Sequence, residues 1–189
     1  MNVVLAAHGV SRRFGVRLVL GPCDFELCAG ELVALVGLNG SGKSTLLSIL
    51  AGALEPTSGR VETNGLVGWA PQRPALYGRL TPRENLSLFA RLAHAPTMEI
   101  DLPDTPAATH SVGMRQRLNL ALAFVGEPQV LLLDEPTASL DSEQRAILWA
   151  RLDGVRAGGG SACFATQNVE ELERADRTVE LRDGRLVAP

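Results

Sequence analysis

Two stretches of the chain are apolar at every position, Leu32-Val33-Ala34-Leu35-Val36 and Val130-Leu131-Leu132-Leu133. Short unbroken runs of this kind mark strands covered on both faces, as in the middle of a parallel sheet. Ser161-Ala162-Cys163-Phe164-Ala165 follows Gly158-Gly159-Gly160 and reads as a strand leaving a loop. Asn64-Gly65, between residues 60–63 and 66–69, predicts a two-residue hairpin, and Asp183-Gly184 predicts another between residues 178–181 and 185–187. Elsewhere the period lengthens to that of a helix. Thr81-Pro82-Arg83-Glu84 offers an N-cap, a proline at the first helical position and a capping-box glutamate, after which Leu86, Phe89, Ala90 and Ala93 share a face. A second helix is predicted from about Val112 to Val125, stopped by Gly126 and Pro128. A third begins after Asp141 and turns Ile147, Leu148, Leu152 and Val155 inward. Strands alternating with helices predict an α/β fold with a mostly parallel sheet flanked by helices and an antiparallel β edge. Prolines at 96, 103 and 106 forbid a long helix over residues 95–109, which reads as an irregular connection inside a small helical subdomain near residues 74–125.

Composition narrows the picture without redirecting it. The chain has 189 residues, 46% of them apolar and 21% charged, and a formal net charge of −3. That length buries one core, so residues 1–189 are expected to form a single domain. The charge balance gives no general attraction to nucleic acid. No apolar run approaches the ~20 residues of a membrane span, and residues 1–7 lack the pattern of a signal peptide. A soluble, cytoplasmic protein is expected. Cys23, Cys28 and Cys163 complete no zinc pattern and are expected to be buried or half-buried free thiols, and His8, His94 and His110 are scattered.

Chemistry concentrates after the first apolar run. Gly37-Leu38-Asn39-Gly40-Ser41-Gly42-Lys43-Ser44-Thr45 satisfies G-x-x-x-x-G-K-[ST] between a strand and a helical pattern. Glycines let successive backbone N–H groups converge on phosphate oxygens, and the following helix adds its dipole. Lys43 places a charge on the β- and γ-phosphates, and Ser44 offers a hydroxyl to Mg²⁺. The run 130–133 ends in Asp134-Glu135, which emerge at the carboxyl end of a strand, where ligands of parallel sheets gather. Asp134 can hold the metal, and Glu135 is placed to polarise an attacking water.

These residues, with Gln72, Ser111-Val112-Gly113-Met114 and Ser139-Leu140-Asp141 in that order, resemble the nucleotide-binding subunit of ATP-binding-cassette (ABC) transporters over essentially the whole chain. The resemblance implies a P-loop NTPase core, ATP and Mg²⁺ as ligands, and ATP hydrolysis. It gives Phe14 the place of a ring stacked on adenine and Gln72 that of the glutamine reaching metal and water. Ser139-Leu140-Asp141 takes the place of a loop crossing the dimer interface. It also implies a second nucleotide-binding subunit, whose Ser111 and Gly113 would close on this chain's ATP, and separate transmembrane subunits met by residues 74–92. Such a subunit lies on the inner face of the cell membrane, peripheral and held by its partners.

The chain departs from the family twice. His110-Ser111-Val112-Gly113-Met114 stands for Leu-Ser-Gly-Gly-Gln, so Val112 replaces a glycine. Thr166-Gln167-Asn168 carries Gln167 where the family has a switch histidine. An amide donates as neutral histidine does but does not titrate, so hydrolysis is expected to be retained and slowed. The 38 residues between Gln72 and Ser111 make a compact helical subdomain, similar to that of haem exporters and of short drug or lipid exporters. Other cassette ATPases fit less well: DNA-repair and chromosome types need coiled-coil insertions, and ribosome types need tandem cassettes. A subunit that binds ATP and regulates without hydrolysing remains the non-enzymatic alternative, favoured by Val112 and Gln167 and opposed by Lys43, Asp134 and Glu135.

Overall fold

The computed structural model describes residues 2–187. Its centre is a six-stranded sheet, built from β3 (Leu32–Val36), β5 (Val67–Ala70), β6 (Val130–Asp134), β7 (Ser161–Ala165), β8 (Arg177–Arg182) and β9 (Arg185–Val187) in the order β5-β6-β7-β3-β8-β9. All neighbours pair in parallel except β8 and β9, the hairpin expected at Asp183-Gly184, where both turn residues adopt positive φ. The apolar runs are central as predicted, and their side chains divide by parity between the sheet's two faces. Val33, Leu35, Val130, Leu132, Cys163 and Ala165 enter one core, with α1 (Lys43–Leu50). Leu32, Ala34, Leu131, Leu133, Ala162 and Phe164 enter the other, with α4 (Ser142–Ala157) and the end of α3 (Val112–Ala123).

A second, antiparallel sheet closes the first core. It pairs β2 (Arg17–Cys28), β1 (Val3–Phe14) and β4 (Ser58–Thr63) in the order β2-β1-β4. The hairpin predicted at Asn64-Gly65 is therefore corrected. β4 and β5 flank that turn but do not pair: β4 joins β1 antiparallel and β5 joins β6 parallel. The two long strands β1 and β2, and the short α5 (Val169–Leu172), had no counterpart among the predicted elements.

The helices start where their caps stand. Thr81 and Glu84 form the reciprocal capping box of α2 (Pro82–Leu92), and Asp141 caps α4 through the Gln144 N–H. In α4, Leu148 and Leu152 are buried as expected, but Ile147 is exposed and Trp149 takes its place, set edge-on against Phe164. α2 and α3 pack through Leu86, Ala90, Leu118, Ala121 and Leu122. The irregular stretch before α3 contains one 3₁₀ turn, Ala107–Thr109. Asn85, fully buried on α2, accepts from the Tyr77 N–H and donates to the carbonyls of Tyr77, Leu80 and Thr81, pinning the connection that follows Gln72. The expected cysteine states hold: Cys23 and Cys163 are buried and Cys28 partly so, all free. Burial raises the thiols of Cys23 and Cys163 to about 11 and about 12.

Candidate functional site

Strand order composes the site. β5, β6, β7 and β3 are consecutive in the sheet and parallel, so the segments leaving their carboxyl ends lie side by side. Those segments bring Gln72, Asp134-Glu135, Gln167 and the loop 37–42. Their side chains touch in the same order. Gln72 Nε2 donates to Glu135 Oε2 at 2.9 Å, and Gln167 Nε2 lies 3.3 Å from Glu135 Oε1 and 2.5 Å from Asn39 Oδ1. Glu135 is thus held between two amides, one on each carboxylate oxygen. Its own backbone is bent to allow this, with φ +49° and its N–H donated to the Ala165 carbonyl at 3.0 Å.

The loop is built around glycine where no side chain fits. At Gly37, φ is +146°, and an added Cβ would stand 2.2 Å from the Leu181 carbonyl oxygen and 2.8 Å from Ser41 Oγ. Gly42, at φ +110°, caps α1 in the left-handed region. Lys43 folds back over the loop and donates to the carbonyls of Gly37 at 2.7 Å and Leu38 at 3.2 Å. The Ser44 hydroxyl lies beside the Asp134 carboxylate. Burial drives the Asp134 carboxyl above its usual range, against the lowering effect of the Ser44 hydroxyl. Glu135 raises it further, while Lys43 and a backbone bond from Gln72 oppose the rise. A buried carboxylate with a raised pKa beside a hydroxyl is a site that a cation would relieve. Because Gln72 spends its Nε2 on Glu135, its Oε1 remains available as an acceptor. Ser44, Asp134 and Gln72 therefore offer only oxygen donors, the set that suits Mg²⁺.

Asn39, Gly40, Gly42, Lys43, Ser44, Thr45, Gln72 and Glu135 line one cavity of about 260 Å³, together with Arg17 and Val19. Arg17 and Val19 were missed by sequence reasoning. They reach the loop because β2 crosses it, and the usable signal was their place just after the Phe14-Gly15-Val16 turn. Phe14 itself lies at the end of β1, 49% exposed and outside the cavity lining, with the Arg12 guanidinium 4.7 Å from its ring centroid.

Ser111, Gly113 and Asp141 stand apart from this cavity's lining. Ser111 caps α3 by accepting from the Met114 N–H at 3.2 Å, and Val112 projects beside it, 59% exposed. A Cβ on Gly113 would come within 2.8 Å of the Ser139 carbonyl, and Gln116 donates to the Pro136 carbonyl at 3.0 Å. The start of α3 is thereby fastened to residues 136–141, which follow Glu135. Asp141 accepts from the Gln144 N–H at 2.8 Å.

Comparison with known proteins agrees with this geometry. The family model described as ABC transporter matches residues 20–138. A daunorubicin resistance ATP-binding protein of Streptomyces coeruleorubidus is 34% identical over 99% of this chain and 68% of its own length. A Nod factor export ATP-binding protein I of Burkholderia lata is 37% identical over 96% of this chain and 68% of its own. Both alignments are longer than the chain, so these relatives carry stretches that it lacks. A solved ATP-binding subunit of an ABC transporter superposes with TM-score 0.82 at 28% identity, covering 98% of this chain and 88% of that one. A dimeric bacterial ABC transporter cassette gives TM-score 0.85 at 22% identity, covering 97% of each chain, which is a likeness of fold.

Proposed function

Because this chain belongs to the ABC transporter family of ATP-binding proteins, we propose that it is the ATPase subunit of a membrane exporter, driven by nucleotide-dependent closure of two such subunits. The observation that carries the reading is the unbroken series Gln72–Glu135–Gln167–Asn39, which sets a carboxylate over the phosphate loop. Export is supported by the names of the two relatives, a drug-resistance and a Nod-factor-export ATP-binding protein.

In this reading the loop 37–45 and the N-terminus of α1 grip the phosphates of ATP, with Lys43 on the β- and γ-phosphates. Phe14 stacks on adenine beyond the cavity. Mg²⁺ held by Ser44, Asp134 and Gln72 would neutralise charge on the phosphate oxygens. Glu135 accepts the proton of the attacking water, and the Gln167 amide donates to the γ-phosphate. The other wall of the ATP site comes from the start of a partner subunit's α3, whose counterparts here, Ser111 and Gly113, sit away from the chain's own cavity. Asp141 lies on the segment between the two. Residues 1–189 act as one such unit, with residues 74–125 as its shortened helical subdomain.

The transmembrane partners bind beside that subdomain. Trp69, Pro71, Ala75, Phe89, Leu92 and Leu122, among others, line an open cleft of about 330 Å³, drawn from the chain on both sides of Gln72. Among the described residues, no helix is long and apolar enough to cross a membrane. We therefore place the chain on the cytoplasmic face, peripheral and held through this cleft.

Hydrolysis is slowed in this reading, because Gln167 supplies a donor that does not titrate and Val112 crowds the phosphate approach of the partner site. Steady-state ATPase assays on the full complex test this. Gln167→His should raise turnover; an unchanged rate removes the argument. The exposed Val112 favours a second reading, a subunit that binds ATP and regulates its partner. Under that reading Glu135→Gln would change neither nucleotide occupancy nor turnover.

A further inference from the structure

Behind the Glu135–Gln167 contact lies a second carboxylate that the reaction scheme does not use. Glu171, on α5, is 4% exposed. One of its oxygens accepts the hydroxyl proton of Thr137 in a very short bond, and the other accepts that of Thr166 at 2.6 Å. Thr137 is two residues after Glu135, and Thr166 immediately precedes Gln167. The Thr166 hydroxyl oxygen also accepts the Asn168 N–H at 3.0 Å, so its single proton is committed to Glu171. Backbone bonds complete the frame. Glu135 N–H donates to Ala165 O at 3.0 Å, and Thr166 N–H donates to Leu35 O at 3.2 Å. Glu171 therefore spans the ends of β6 and β7, just where those strands deliver Glu135 and Gln167.

As a purely structural device this arrangement is costly. Among the described residues, no Arg, Lys or His nitrogen pairs with Glu171. A buried carboxylate without a cation loses its hydration and recovers it only in part through hydroxyl bonds, so a well-packed apolar side chain would join the same strand ends more cheaply. Two hydroxyl donors on one carboxylate do, however, fix a distance and a direction, which packing does not.

We propose that Glu171 is a positioning residue for the hydrolytic step, holding Glu135 and Gln167 at their mutual spacing through Thr137 and Thr166. This rests on the reading of the chain as a hydrolysing ATPase. Glu171 is buried and lies outside the lining of the phosphate-loop cavity, so its loss should leave ATP binding intact and reduce turnover. Replacing it with glutamine keeps its volume but puts an amide donor where a hydroxyl must be accepted.

The test measures binding of a fluorescent ATP analogue to the full chain, and kcat and KM in the complex, for wild type, Glu171→Gln, Thr137→Val, Thr166→Val and each change combined with Gln167→Ala. Glu171→Gln should bind the analogue within about twofold of wild type while kcat falls at least about tenfold at similar KM. In the Gln167→Ala background the same change should cost no more than about threefold, because the two residues act as one unit. The valine variants, which bury no new charge, should reproduce the loss of kcat, and Thr166→Ser should restore it. Should Glu171→Gln fail to fold, the valine and serine variants decide. Unchanged kcat, or an equal loss with and without Gln167, overturns the proposal alone. A wild type that binds the analogue but never turns over ATP overturns the hydrolytic reading and this proposal together.

Discussion

At the scale of single residues, an amide at Gln167, where the family resemblance places a titrating ring, has a direct pH consequence. An amide donates at every pH, whereas a histidine there would change charge near its usual value of about 6.5. The wild-type pH–rate profile should lack a limb near neutrality from this position, and Gln167→His should introduce one, read from kcat between about pH 5.5 and 8. Asp134 gives a second prediction. Burial raises its pKa in the folded chain, so its contribution to stability is whole at acid pH and is lost as pH rises through that raised value. Its charged form is the costly one in the folded chain, and bound Mg²⁺ would offset that cost. Asp134→Asn should therefore melt at or above the wild-type temperature without nucleotide and lose the gain that Mg-ATP gives the wild type, as thermal melts with and without Mg-ATP would measure. Much of this site was legible beforehand. Gly37 to Thr45 is contiguous, and Asp134-Glu135 follows its strand directly, so local spacing sufficed. Arg17, Val19 and Glu171 were not legible, because their roles depend on contacts made across the fold: Glu171 reaches Thr137 over 34 positions.

At the scale of elements, unbroken apolar runs identified the central strands because burial on both faces leaves no room for alternation. The turn at Asn64-Gly65 was located correctly but its partners were not. β4 is mostly exposed and suits the edge beside β1, whereas Val67-Gly68-Trp69-Ala70 is half-buried and suits the edge beside β6. Tertiary pairing thus overrode a local hairpin signal. The same junction holds a glycine whose necessity only the structure reveals. A Cβ at Gly68 would stand 2.0 Å from the Ala123 carbonyl oxygen and 2.8 Å from Leu131 Cδ2. Gly68→Ala should force β5 away from α3 and cost about 2 kcal/mol or more, seen as a lower denaturant midpoint. Ile147 taught the complementary lesson. Helical spacing allowed it to point inward, but the neighbouring Trp149 fills the space against Phe164.

At the scale of the whole molecule, the proposed function gives the chain half of an ATP site at the end of its sheet and half of another at the start of α3. Glu135→Gln with ATP should accumulate dimers on size-exclusion chromatography that wild type does not retain, and mixing with Gly113→Trp chains should suppress them by blocking one wall. In a homodimer each site would combine Gln167 with a partner's Val112, whereas in a heterodimer the two departures fall in separate sites. The cleft beside Gln72 has a further, optical consequence. Of the chain's two tryptophans, Trp149 is buried edge-on against Phe164 in the core, and Trp69 borders the cleft three residues before Gln72. The protein thus carries an intrinsic fluorophore at the proposed docking surface and a second one shielded from it. Engagement of a membrane partner should shift the emission of Trp69 while that of Trp149 stays constant, and Trp69→Phe should leave a spectrum blind to docking.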